Sequence, residues 1–588
     1  MKSFFKIFFA SLLALIVFCV IGFFILLGVG VAASSSDKPV LNDNSVLVID
    51  LSKTYLDFEN PTLSINLNIK KLTSQPPSLY DVIRMIHHAR EDNKIKGIYI
   101  QASTNANGFA SSEELRRAIS EFKQSGKFVI AYGATITQKA YYVASAANKI
   151  YTNPQGGLEW RGMASQMMFF KGLLDKLEIQ PEVFFAGKFK SATEPFRVTK
   201  MTDPNKLQTS VWLGDLYSTI LEAVSKSRNI DSTQLHLLAN NGAIQTAGDA
   251  LKYGLVDSLI YTDQLDNDFH QLLKTKASDK INFISLDKYA ETADYKKFSG
   301  SDLIAVVYAQ GEIVDGGNDN DKITSDKYVN LIRKLRKDSS VKAIVMRVNS
   351  PGGSALASDM IWREITLAKK VKPVIISMGD LAASGGYYIS CNGSYIFAEP
   401  NTITGSIGVF SIVGNAEDFF KNKLGLTFDV VKTGPYADLG SIARPLTQPE
   451  KNFMQSSVDS IYKTFTERVA EGRHKTVAYI DSIAQGRVWT GERGLKIGLV
   501  DSLGSLNDAI KYAAKLIKSK DYRISEYPEK KSIFDQLFHS DDNNSDVNLK
   551  ILAKTLGPEM SKNIMRIRTV QTMMNTPQTR LPFEFEIR

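Results

Sequence analysis

The stretch Pro373–Gly408, PVIISMGDLAASGGYYISCNGSYIFAEPNTITGSIG, decides how this chain is read. Its apolar opening, Val374-Ile375-Ile376, reads as a buried strand. Small residues follow, Ala382-Ala383-Ser384-Gly385-Gly386, and Tyr387-Tyr388-Ile389-Ser390-Cys391 then suits the first turns of a helix. A serine at a strand-to-helix turn sits where a substrate can reach its hydroxyl, and the glycines let a peptide backbone come close. The N–H groups at the start of the helix can face a developing oxyanion. Taken alone, the same residues also fit a plain Gly/Ala turn whose serine caps the helix. The rest of the chain separates these readings.

Working outward, the chain is written twice. Lys94-Ile95-Lys96-Gly97-Ile98-Tyr99-Ile100 resembles Ser340-Val341-Lys342-Ala343-Ile344-Val345-Met346, and Lys127-Phe128-Val129-Ile130 resembles Pro373-Val374-Ile375-Ile376. Tyr141-Tyr142 and Tyr387-Tyr388 stand 246 residues apart, as do Asn153-Pro154 and Glu399-Pro400. Gly254-Leu255-Val256-Asp257-Ser258-Leu259 recurs letter for letter at Gly498–Leu503. This period far exceeds the roughly 20–50 residues of solenoid repeats, so it marks a duplicated domain. Within each copy, short β-rich runs alternate with helical patterns. In the first copy the runs are Val46–Leu51, Ile98–Gln101, Phe128–Tyr132 and Lys149–Thr152, and the helices Ser112–Gln124 and Lys139–Ala147. That alternation predicts an α/β fold with parallel sheets and crossover helices.

The expected domains are an amino-terminal stub and anchor (1–36), a first repeat (37–276), a polar linker (277–301), a second repeat (302–525) and a polar tail (526–588), with a last helical stretch over 549–574. Lys2 and Lys6 precede Ile7–Ser36, which holds no charged residue. About 20 apolar residues span a bilayer, so a transmembrane helix is expected. Lysines before the span predict a cytoplasmic amino terminus, with the rest of the chain on the outer face. In a bacterium with two membranes, that is the inner membrane and the periplasmic side. Val31-Ala32-Ala33-Ser34 also has the look of a cleavage site, and a removed signal is the alternative.

Composition narrows the function classes. The 588 residues carry 71 Lys+Arg against 62 Asp+Glu, a modest net charge of +9, with no basic stripe interleaved with aromatics. Nucleic acid is therefore not an expected partner. Cys19 and Cys391 are the only cysteines, and one lies in the apolar amino-terminal segment, so neither a structural disulfide nor a thiolate metal site is expected. Asn349-Ser350-Pro351-Gly352-Gly353-Ser354 follows the strand Ile344–Val348 and leads into a helix from about Leu356. Its glycines can aim backbone N–H at an oxyanion, or simply make a turn. It matches no phosphate-binding loop.

Comparing the copies locates a divided site. At the 246-residue offset Ser384 falls on Gln138, so the first copy lacks the serine. The first copy in turn carries Lys190 in Lys190-Ser191-Ala192-Thr193-Glu194-Pro195-Phe196, where the second has Tyr436 or Ala437. A serine hydroxyl needs a base. None of the six histidines (His87, His88, His236, His270, His474, His539) lies in a segment resembling a triad histidine. A lysine whose pKa is lowered by burial can do that work. Neighbouring Lys188 reads as a solvated surface residue.

At these residues the chain resembles the signal peptide peptidase A family in its long, duplicated, membrane-anchored form. The resemblance rests on Asn349–Gly353, Met378–Tyr387, Thr404-Gly405-Ser406-Ile407-Gly408, Lys190–Phe196 and Gly486-Arg487-Val488-Trp489-Thr490-Gly491, and covers about 44–506. It implies two tandem Clp-protease/crotonase-like domains. It also implies a Ser–Lys dyad endopeptidase that degrades cleaved signal peptides and other apolar unfolded peptides without a metal or other cofactor. By that resemblance Ser384 is the nucleophile and Lys190 the general base. Gly385 and one of Gly352 and Gly353 supply the oxyanion hole, and the assembly is a homotetramer. The alternatives are a non-catalytic membrane scaffold of the same fold, and an acyl-CoA hydratase or thioesterase.

Overall fold

The computed structural model describes residues 7–8, 10–18, 20–22, 41–58, 77–317, 319, 321–529, 577–581 and 586–587. The first copy folds around a six-stranded, all-parallel sheet. Its order is Ser258–Leu259, Lys149–Leu158, Phe128–Ile136, Ile95–Gln101, Ser45–Asp50 and Asn282–Ser285. The second copy repeats the plan: Ile403–Gly405, Val374–Ala383, Val341–Ser350, Asp302–Gln310 and Tyr522–Tyr527 run parallel, with Val488–Thr490 antiparallel at one edge. Tyr395–Ala398 and Ser502–Leu503 complete this sheet beside Val374–Ala383. Strands covered on both faces bury almost every side chain, which is why Val341–Ser350 reads as a continuous apolar run.

The duplication is physical as well as textual. Helix Leu79–Glu91 buries Val82, Ile83, Ile86 and Ala89, and helix Ser325–Lys337 buries Tyr328, Val329, Ile332 and Leu335 at the corresponding turns. Both are amphipathic stripes at helical spacing. The repeated GLVDSL has a repeated job. Asp257 pairs with Arg228 and accepts the Ile150 N–H at 2.7 Å, while Asp501 pairs with Arg473 and accepts the Ile396 N–H at 2.8 Å. Tyr141 Oη donates to the Leu255 carbonyl and Tyr387 Oη to that of Leu499, fixing each Tyr-bearing helix to its strand-end loop.

The two copies share a buried polar seam. Arg347, wholly enclosed, pairs with Asp57 at 2.9 Å and Glu114 at 2.5 Å, both from the first copy. Asn349 Nδ2 donates to Asp57, and Asn349 Oδ1 accepts the Leu381 N–H. Asp380 accepts from the Ser111 N–H and hydroxyl, and Arg117 pairs with Glu399. A further six-stranded sheet draws on both copies: Ile323–Thr324, Ile313–Val314, Gly352–Ser354, Gln578–Arg580, Val409–Val413 and Glu182–Ala186.

Some segments differ from expectation. Within 277–301, strand Asn282–Ser285 joins the edge of the first sheet and helix Leu286–Thr292 buries Tyr289, so apolar residues at Ile284, Leu286 and Tyr289 outweigh the polar composition. Beyond 526, Gln578–Arg580 returns as a strand of the mixed sheet. Among the described residues no helix is long and apolar enough to cross a membrane. Much of the expected anchor, and the helical stretch 549–574, lie outside the described residues.

Candidate active site

Ser384 stands between the end of strand Val374–Ala383 and helix Gly385–Ser390. Its backbone has φ +56° and ψ −115°, a conformation that costs a non-glycine residue about 1–3 kcal/mol. Fixed hydrogen bonds hold it: the Ser384 N–H donates to the Gly405 carbonyl at 2.7 Å and the Ser384 carbonyl accepts from Tyr388 N–H at 2.8 Å. The turn thereby aims the hydroxyl away from its own helix, and Ser384 makes no side-chain cap.

Lys190 reaches this hydroxyl from the other copy. It follows strand Glu182–Ala186, which runs antiparallel to Val409–Val413 of the second copy from Ala186↔Val409 to Glu182↔Val413. The Phe189 N–H donates to the Gln485 carbonyl at 2.8 Å. Gln208 Nε2 donates to the Phe189 carbonyl and Ser191 hydroxyl, and its Oε1 accepts the Val488 N–H. Gly486 packs so closely that a methyl placed on it would lie 2.7 Å from the Lys190 Cα. The lysine stem is thus clamped between one glutamine and the 485–488 turn.

At its tip, Nζ lies 2.8 Å from Ser384 Oγ, 3.1 Å from the Ser406 carbonyl and 3.1 Å from Ser406 Oγ. Lys190 is 1% exposed and Ser384 0%. Desolvation holds the amine's pKa well below the ordinary lysine range. Only neutral hydroxyls and a carbonyl meet it, so no anion offsets the cost of burying an ammonium. A neutral amine fits the geometry: two N–H donate to Ser406, and the lone pair faces the Ser384 hydroxyl. Such an amine can take that proton.

The glycines expected nearby are there. A methyl placed on Gly352 would come 2.6 Å from the Gly385 nitrogen, so the two turns abut. The Gly352 N–H already donates to Ser350 Oγ at 3.1 Å, whereas Gly353 lies opposite Thr579 in the mixed sheet. Ser384, Lys190, Gly385, Gly352 and Gly353 therefore converge. Lys188 is exposed, with its ammonium over the Phe189 ring. His87, His88 and His270 pair with Glu121, Tyr289 and Thr275, and His236 meets the Tyr217 ring. Tyr436 is exposed. At the station matching Ser384 in the first copy, Gln138 is engaged: its Nε2 donates to the Gly162 carbonyl and its Oε1 accepts from the N–H of Arg161 and Gly162.

Two contributors are missed by residue-by-residue reading. Ser406 binds the lysine through both hydroxyl and carbonyl, but Thr404–Gly408 looks like any small-residue turn. Gln208 lies inside the long helix Asp203–Arg228, where nothing marks it off from a surface glutamine, yet it is buried.

The family profile described as Peptidase family S49 matches residues 121–276 and 366–520, once in each copy, and that of Clp protease matches 296–404. Protease 4 of Salmonella typhi is 36% identical over 541 residues, covering 88% of this chain and 86% of that protein. A chloroplastic serine protease SPPA of Arabidopsis thaliana is 34% identical over 442 residues, covering 72% of this chain and 64% of that protein. A putative signal peptide peptidase SppA of Enterococcus faecium is 33% identical over 251 residues, covering 42% of this chain and 71% of that protein. With profile matches in both copies and a relative similar over nearly its whole length, the chain belongs to peptidase family S49, as a duplicated serine peptidase.

Proposed function

We propose that Ser384 and Lys190 form the catalytic dyad of a membrane-anchored endopeptidase that degrades cleaved signal peptides and other apolar, unfolded segments. The observation that carries this reading is the 2.8 Å approach of Lys190 Nζ to Ser384 Oγ inside a site free of water-exposed atoms. Lys190, neutral, takes the Ser384 proton as Oγ attacks a peptide carbonyl. The oxyanion is met by the N–H of Gly385 and of Gly353, preferred over Gly352 because the Gly352 N–H is already engaged. The resulting ammonium donates its proton to the leaving amine. Water then cleaves the acyl-enzyme with the same lysine as base. Ser406 keeps the amine oriented through both turns of proton transfer.

The uncharged segment 7–36 supports a single-pass anchor in a bacterial inner membrane, with the two copies on the periplasmic side. Such an anchor would hold the site where spent apolar peptides leave the bilayer. Sites facing an enclosed space in a homotetramer would spare folded proteins. The decisive experiment is labelling with a fluorophosphonate followed by peptide mapping, in the wild type and Lys190→Ala. Modification at Ser384 that depends on Lys190 is expected; modification elsewhere, or lysine-independent labelling, overturns the dyad.

A further inference from the structure

Strand Gln578–Arg580 is inserted between Gly352–Ser354 and Val409–Val413, antiparallel to both. Neighbouring strands stand about 4.8 Å apart, so these flanking segments frame a slot about 9.6 Å across, room for one extended backbone. The slot passes over the dyad. Thr579 is paired with Gly353, and a methyl placed on Gly352 would lie 2.1 Å from the Thr579 carbonyl oxygen and 2.6 Å from the Gly385 nitrogen. The carbonyl of Thr579 therefore occupies the corner between the two glycine turns. Thr579 Oγ1 donates to the Gly353 carbonyl at 3.1 Å. Pairing continues on either side, from the Leu581 N–H to the Pro351 carbonyl at 2.8 Å and from the Ala355 N–H to the Pro577 carbonyl at 3.5 Å. Two residues beyond that carbonyl, Leu581 is 3% exposed in a pocket made by Trp212, Leu216, Ala383 and Val488. Arg580 pairs with Glu312.

We infer that Pro577–Leu581 is a tethered occupant of the substrate groove, seated as a peptide substrate would be and displaced when one binds. The inference rests on the Ser384–Lys190 reading. Three features carry it. Most of the contacts are backbone-to-backbone, the sequence-tolerant mode by which an open strand edge takes an extended peptide. The segment puts a carbonyl at the glycine corner where an attacked carbonyl belongs. It also leaves the Ser384 hydroxyl without solvent, so no second peptide reaches it while the strand is seated. The Leu581 pocket then assigns a preference: an aliphatic side chain two residues after the carbonyl at the glycine corner. Attachment to the same chain gives the segment an effective concentration of about millimolar, enough to compete with weakly bound peptides.

The test uses the full chain in three forms: wild type, Leu581→Asp, which sets a carboxylate against the apolar pocket, and Arg580→Glu, which opposes Glu312. A fluorogenic leucine-rich peptide reads activity and a fluorophosphonate reads access to Ser384. If the strand is seated about nine-tenths of the time, KM falls about tenfold in the variants while kcat changes little, and Ser384 labels correspondingly faster. A synthetic peptide of sequence 577–581 is expected to inhibit the variants competitively. Unchanged KM and labelling in both variants overturn the tethered occupant and leave the dyad standing. Lost activity in folded variants, judged by unchanged circular dichroism, also overturns it, because the strand would then be a working part of the site. Failure of Ser384 to label in any form overturns both readings.

Discussion

Lys190 is held by hydroxyls and a carbonyl alone, and that poverty of charge has measurable consequences. Because its amine titrates well below the ordinary lysine range, kcat/KM should rise with pH through that lowered value and level off before the pH at which free lysines titrate. A profile that is flat across neutral and mildly alkaline pH would count against the amine as base. Stability should follow the same group. Between the lowered pKa and the ordinary one the unfolded chain binds one proton more than the folded chain, so stability rises with pH across that window. Lys190→Met, which removes the amine and keeps the stem, is expected to flatten that rise in melting temperature while leaving the enzyme inactive. Ser384→Ala and Lys190→Ala should each lower kcat by roughly three orders of magnitude or more with circular dichroism unchanged. Ser406→Ala removes one of the two acceptors that orient the amine. Its expected signature is a lower kcat with a displaced pH profile, and an unaltered profile would reduce Ser406 to packing.

At the scale of elements, the turn 485–488 does for Lys190 what the 382–386 turn does for Ser384. Gly486 has φ +75° and lies against the lysine backbone, so Gly486→Ala is doubly opposed. It should cost about 1–3 kcal/mol in a denaturant titration and lower activity far more than that loss of stability explains, because Lys190 must shift. Activity scaling only with the folded fraction would remove the turn from the site. The strands and helices of each copy are largely legible in the sequence, since a parallel sheet covered on both faces leaves unbroken apolar runs such as Val374-Ile375-Ile376. Their ends are less so: Phe128–Ile136 and Lys149–Leu158 continue past their apolar cores into residues that only backbone pairing holds. Asn282–Ser285 and Gln578–Arg580 escape because each is a short strand whose hydrogen bonds come from distant segments. Local composition carries no trace of such partners.

The whole molecule is one site spread over two copies. That Ser384 and Lys190 come together is legible because the copies can be laid over each other and each found wanting. Ser406 and Gln208 are not, since their importance lies in what folds against them. The seam that fixes the copies to each other centres on Arg347 with Asp57 and Glu114. Arg347→Met strands two buried carboxylates and should cost about 3–5 kcal/mol, read as a lowered urea midpoint. An unchanged midpoint would show that the copies are held by apolar contact alone. Gln138 adds a last consequence. With its amide spent on the backbone of Arg161 and Gly162, the first lobe has no alcohol to acylate at that station. The stoichiometry of the enzyme is then fixed: a pre-steady-state burst should release one equivalent of product per polypeptide, half of what two equally armed lobes would yield.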